Sequence, residues 1–153
     1  MCLLSVPGPD ERVRCRWSLA APDFLPYHDE EWGFPVAEDH RLFEKLCLEG
    51  FQAGLSWRTI LSKRDNLRSA FRDFEAIASF TSCDIDRLMK NEGIIRHRGK
   101  IEAVVNNARR VQDLVAQEGS LAAFLWRHEP DPKRLTRPQT LSPRPTQFRS
   151  RRR

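Results

Sequence analysis

No stretch of the 153-residue chain approaches the ~20 consecutive apolar residues that a helix needs to cross a bilayer. The opening MCLLSVPGP has no basic start, and its apolar run is too short for a secretory signal. Residues 1–12 therefore read as a flexible leader. The four cysteines, Cys2, Cys15, Cys47 and Cys83, form no CxxC pair. Without an export signal, that scatter predicts reduced thiols or a metal ligand rather than a disulfide framework. Internal repeats are absent, and strand-like alternation is missing between Asp39 and about His128. These absences exclude a membrane protein, a disulfide-stapled scaffold and a solenoid. They predict one all-α domain over residues 13–130, monomeric and cytoplasmic, with no membrane partner.

Acidic residues are missing from 133–153, which hold eight basic ones. The formal net charge of +5 thus comes from this end: residues 1–132 carry 18 basic against 21 acidic residues, a balance of −3. Bulk charge does not make the folded part a nucleic-acid binder, so any DNA contact must come from a local patch. The segment 131–153 is rich in proline and arginine, lacks apolar periodicity and is expected to be disordered. Such a tail is compatible with non-specific contact to DNA phosphate.

What remains is helical patterning. Asp39 is placed to cap a helix with Leu42, Phe43, Leu46 and Cys47 on one face, interrupted by the small residues of 51–54. Ser56 can cap a second, carrying Trp57, Ile60, Leu61, Leu67 and Phe71. Thr81 or Ser82 opens a third with Ile85, Leu88 and Met89, which Gly93 is placed to end. A fourth runs from about Gly99 to Gly119 with Ile101, Val104, Val105, Ala108, Val111 and Val115 inward. Ser120 starts a short helix with Leu121, Phe124 and Leu125.

Three constellations could carry chemistry. In 95–103, Gly99 allows a tight turn, and Lys100 opens a helix whose free N–H groups and positive dipole end can hold an anion. Ala103 is small enough for close helix approach, while Arg96, His97, Arg98 and Lys100 add donors. That is the physics of a phosphate clamp gripping a DNA backbone without reading sequence; a solvated basic loop explains the same residues. Next, Cys15 and His28 are two candidate zinc ligands, but structural zinc takes four. Lastly, Glu49 ends an otherwise apolar helix face, with Phe24, Tyr27, Phe51 and Trp57 nearby in sequence. A carboxylate among rings suits a planar, electron-poor or cationic ring; a surface glutamate at a helix end is the plainer alternative.

The stretches RCRW (14–17), YHDEEWG (27–33), LFEKLCLEGFQAGLSW (42–57) and GIIRHRGKIEAVVNNA (93–108) resemble, in order, the DNA-3-methyladenine glycosylase I family. That family belongs to the helix-hairpin-helix DNA glycosylase superfamily. The likeness runs from about Val13 to Thr140 and is expected to fade after 137–142.

The resemblance implies a glycosylase fold that removes 3-methyladenine from alkylated double-stranded DNA in base-excision repair, with no lyase step. It places Glu49 on the family's essential carboxylate, Trp57 on the stacking tryptophan, and Tyr27 and Phe24 on pocket positions. Phe24 stands where the best-known members have tyrosine, which keeps a ring and loses a hydroxyl. Arg96, His97, Arg98, Gly99 and Lys100 fall on the DNA-binding hairpin. Cys15 and His28 match the first two ligands of a structural zinc whose other two ligands come from a C-terminal segment that this sequence lacks. The resemblance thus implies a C-terminally truncated chain, and a frame shift or early stop near Ser142 would account for it. The competing expectation is a remnant that has lost catalysis and acts at most as a non-specific DNA-binding module.

Overall fold

A computed structural model describes residues 5–71 and 73–130; the expected disordered tail at 131–153 lies outside the described residues. Helices dominate them: α1 (Phe24–Glu30), α2 (Asp39–Gln52), α3 (Trp57–Ser62), α4 (Arg64–Ala70), α5 (Phe74–Ala78), α6 (Ser82–Leu88), α7 (Arg98–Glu118) and α8 (Leu121–Trp126).

The all-α expectation needs one amendment. Where a leader was expected to fray, Ser5–Pro7 (β1) pairs antiparallel with Val13–Cys15 (β2), Val6 standing opposite Arg14. Two three-residue strands are marginal alone. The hairpin is tied down by Arg14, a buried guanidinium that binds both Asp10 and Asp29. Its Nη2 lies 2.8 Å from Asp10 Oδ2 and 2.7 Å from Asp29 Oδ2. Composition could not show this, because Asp29 is fifteen residues from Arg14 and joins it only in the fold.

The core lies where α7 packs against α5, α2 and α8. Its inward positions Ile101, Val104, Val105, Ala108 and Val111 are those the 3.6-residue period selected. They meet Phe43, Cys47, Leu48 and Phe51 of α2. Phe43 packs on Phe74 with ring centroids 5.5 Å apart, and Phe51 on Phe71 at 5.4 Å. Ser56 caps α3 by accepting from Thr59 N at 3.2 Å. Asp84 of α6 accepts from Thr81 N at 2.9 Å. Gly119 ends α7 with φ 86°, a left-handed conformation that glycine adopts without Cβ strain.

Several boundaries fall elsewhere than the sequence suggests. The helix expected from Ser56 through Phe71 breaks at Lys63 into α3 and α4. The five-residue α5, capped by Asp73, has no counterpart in the sequence reading. Gly93 does not end α6, which stops at Leu88. Instead a Cβ there would come within 2.8 Å of the Asn66 side chain, so the residue permits close approach to α4. Asp39 does not cap its own helix. Its carboxylate accepts from Leu121 N at 3.0 Å and Ala122 N at 2.9 Å, satisfying orphan donors at the start of α8.

Candidate active site

The last turn of α2 presents Glu49 on the exposed side of the helix, opposite the buried Cys47, Leu48 and Phe51. Of the two local alternatives, the carboxylate is a surface one: Glu49 is exposed, and no ion pair engages it among the described residues. The rings beside it do assemble. Tyr27 on α1 and Trp57 at the start of α3 stand with centroids 5.4 Å apart, tilted 52°. Lys45, one turn before Glu49, donates to the Tyr27 hydroxyl at 3.3 Å and lies 4.6 Å from the ring centroid. Burial pushes the Tyr27 phenol up; Arg64 opposes the shift, while the charges of Glu31 and Glu49 add to it. The Trp57 Nε1 donor is buried without a hydrogen-bond partner, an unusual state for an indole N–H.

Among the described residues, the ring contact of Phe24 is with Trp17, which links it to this cluster. Trp17 touches Phe24 (5.9 Å), Tyr27 (6.3 Å), His28 (5.2 Å) and Trp32 (5.3 Å). Its place in RCRW, two residues past Cys15, was the available signal. Phe51, near Glu49 in sequence, is a core residue.

Cys15 is buried at the end of β2. The His28 ring stacks on Trp32 at 5.5 Å, and its Nδ1 contacts Asp29 Oδ1 at 2.8 Å, which leaves Nε2 for a metal. Asp29 is held at about 2, first by Arg14 and then by His28. No third donor accompanies this pair among the described residues. The one cluster of three donors there is His40, Asp73 and Glu75, all exposed and belonging to α2, the α5 cap and α5. Two ligands do not make a closed tetrahedral site, so the donors among the described residues do not complete a structural zinc site. Cys47 is no substitute: burial, and then Glu44, push its thiol up to about 12, far from a reactive thiolate.

The hairpin residues are only partly available. His97, not Gly99, forms the cap of α7, its ring accepting from Lys100 N at 3.3 Å. Gly99 lies inside the first turn. Ala103 is exposed. Lys100 was expected to face DNA. Its ammonium instead donates to the carbonyls of Phe51 and Ala53, both at 2.6 Å, and closes the C-terminal end of α2. Arg98 is bound to Asp86, and Arg96 lies 3.4 Å from Glu92. Among the described residues, Arg16, Arg58, Lys90 and Arg109 are exposed cations with no acidic partner, Arg109 donating to the carbonyls of Ala78 and Phe80.

Behind the ring pair runs an ionic network invisible in the sequence. Arg64, 9% exposed, grips Glu31 with both Nη atoms (2.6 and 2.8 Å) and Glu44 through Nε (2.7 Å). Arg64 lowers the Glu31 carboxyl below the usual range. Burial alone would raise Glu44, but Arg68 and Arg64 outweigh it. A surface groove of about 780 Å³ opens beside these carboxylates, lined by Glu38, His40, Arg41 and Arg68 among others, and does not include Glu49, Tyr27 or Trp57.

Comparison with known proteins supplies the lineage. The methyladenine glycosylase family model matches residues 17–151, past the point near Ser142 where the likeness was expected to fade. DNA-3-methyladenine glycosylase 1 of Escherichia coli (strain K12) is 42% identical over 135 residues, covering 87% of this chain and 72% of that protein. The DNA-3-methyladenine glycosylase of Haemophilus influenzae is 46% identical over 116 residues, covering 74% and 63%. A crystal structure of a tyrosine variant of 3-methyladenine DNA glycosylase I in complex with 3-methyladenine superposes with a TM-score of 0.71 at 41% identity. That match covers 74% of this chain and 62% of the other, so the chain spans less than two thirds of the solved relative. The chain belongs to the methyladenine glycosylase family.

Proposed function

We propose that the chain is a monofunctional DNA-3-methyladenine glycosylase, acting as a cytoplasmic monomer on alkylated double-stranded DNA. The observation that carries the reading is the exposed carboxylate of Glu49, whose charge acts on Tyr27, together with the Tyr27–Trp57 pair, whose centroids are 5.4 Å apart. The damaged nucleotide leaves the duplex, at a cost of a few kcal/mol that is smaller for a damaged base. The flipped base stacks on Trp57 and Tyr27. N3-methylation makes the adenine cationic, so ionised Glu49 pairs with it and disfavours neutral adenine. In the hydrolysis the C1′–N9 bond breaks, its electron pair leaves with neutral 3-methyladenine, and water supplies the hydroxyl on C1′ while its other proton passes to solvent.

A helix-hairpin-helix grip on DNA phosphate fits residues 93–101. With Lys100 turned to α2, its own N–H taken by His97, and Arg98 held by Asp86, the grip falls to the backbone N–H groups of Arg98 and Gly99 at the start of α7. His97 and Arg96 flank them.

The test is release of 3-methyladenine from methylated duplex DNA, read by chromatography, with zinc measured on the same preparation. Catalytic release with excised base exceeding enzyme is the expected result. Tight DNA binding with no release would replace this reading by that of a non-catalytic DNA-binding module. Zinc is expected well below one ion per chain, because Cys15 and His28 supply half a tetrahedral set. One ion per chain surviving dialysis would overturn that expectation.

A further inference from the structure

We propose that Lys45 is a positioning residue: its ammonium fixes the Tyr27 ring against Trp57 and so pre-shapes the stacking platform. The inference rests on the base-binding reading of that platform.

The need for such a device follows from α1. It is seven residues long, has no side-chain cap and contributes no buried residue. Apart from its contacts with the Trp57 and Trp17 rings, the Tyr27 side chain is thus weakly held by its own helix, and its ring is only half-buried. Lys45 supplies the missing restraint from the more deeply packed α2. One ammonium meets the phenol oxygen at 3.3 Å, the ring centroid at 4.6 Å and Glu31 Oε2 at 3.8 Å. The last contact gives the flexible lysine a rigid anchor, because Arg64 clamps Glu31 through both carboxylate oxygens. A chain of charges thus runs from α4 through the end of α1 to the pocket ring. Holding the ring in advance lowers the ordering cost of binding.

The groups facing Lys45 are Tyr27 on α1, Glu31 just after it, Arg41 and Glu44 on α2, and Arg64 on α4. Burial, then Arg64, lowers the Lys45 ammonium below the ordinary lysine value, with Glu31 and Glu44 opposing. The restraint is present while the ammonium is charged and is lost as pH rises through that lowered value.

The chain has a single tyrosine, so ¹³Cζ-tyrosine labelling gives one NMR signal that reports on Tyr27 alone. Titrations with free 3-methyladenine, followed by tryptophan fluorescence, give affinity. At neutral pH, Lys45→Met should weaken binding about three- to tenfold, the scale of a partly exposed cation–π contact, and should shift the tyrosine signal. Lys45→Arg should restore most of both. Wild-type affinity should carry an alkaline limb that Lys45→Met lacks, which a merely structural lysine would not produce. Lys45→Met with wild-type affinity, an unmoved tyrosine signal and the same alkaline limb overturns the proposal alone. Wild type that neither binds 3-methyladenine nor releases it from methylated DNA overturns the platform reading and this proposal with it.

Discussion

Glu49→Gln is expected to reduce kcat/KM for 3-methyladenine release by roughly ten- to a hundredfold, the scale of losing a hydrogen bond to a charged group, ~1.5–3 kcal/mol. Glutamine keeps the length and planarity of the side chain and removes only the charge. The loss therefore measures what the cationic base gains from the carboxylate. Stability should hardly move, because Glu49 is exposed and an exposed side chain outside any network typically contributes within ~0.5 kcal/mol. That combination separates a binding role from a folding role. The carboxylate loses its water when the base arrives, and the Coulomb term then acts in a drier site. Full activity in Glu49→Gln would reduce Glu49 to a surface residue at a helix end and leave the Tyr27–Trp57 pair without its charge partner.

Arg64→Met is expected to destabilise the fold by about 3 kcal/mol, the lower end of the range for breaking a buried ion pair. The lower end applies because Glu31 keeps 26% of its side-chain surface in solvent, which screens part of the loss. Methionine retains the packing of the arginine stem, so the deficit reports the two carboxylates left behind. Glu31 and Glu44 both titrate below the ordinary carboxylate range in the folded chain. Their contribution is present above the unfolded carboxylate value of about 4.3 and is lost as pH falls through the depressed folded values. Urea unfolding across pH should therefore show wild type losing stability on acidification and Arg64→Met losing less. Adding Glu31→Gln and Glu44→Gln to Arg64→Met should recover part of the deficit. A deficit under 1 kcal/mol in Arg64→Met, with an unchanged acid limb, would show that the network contributes little.

Much of this molecule is legible in its residues taken in order. The apolar faces of α2 and α7, the caps at Ser56 and Ser120 and the glycine stop at Gly119 depend on neighbours three or four positions away. Helical period and capping chemistry fix them locally. The ordered motifs likewise pointed to Tyr27 and Trp57, whose rings meet in the fold.

The sequence did not show which partner each charge finds, because those partners are remote along the chain. Asp39 looked like a cap for its own helix and serves α8 instead. Lys100 looked like a DNA contact and closes α2. Arg64, Glu31 and Glu44 gave no local signal at all. The break at Lys63 belongs to the same class, since a 3.6-residue period continues through a helix interruption.

Glu49 itself marks the division. Its position at the end of an amphipathic helix, among rings, follows from sequence, because periodicity depends on spacing. Its exposure, and the Lys45–Glu31–Arg64 chain behind the Tyr27 ring, are tertiary facts. Burial and ion pairing depend on which helices meet, and the free energy that decides this comes from packing the whole core.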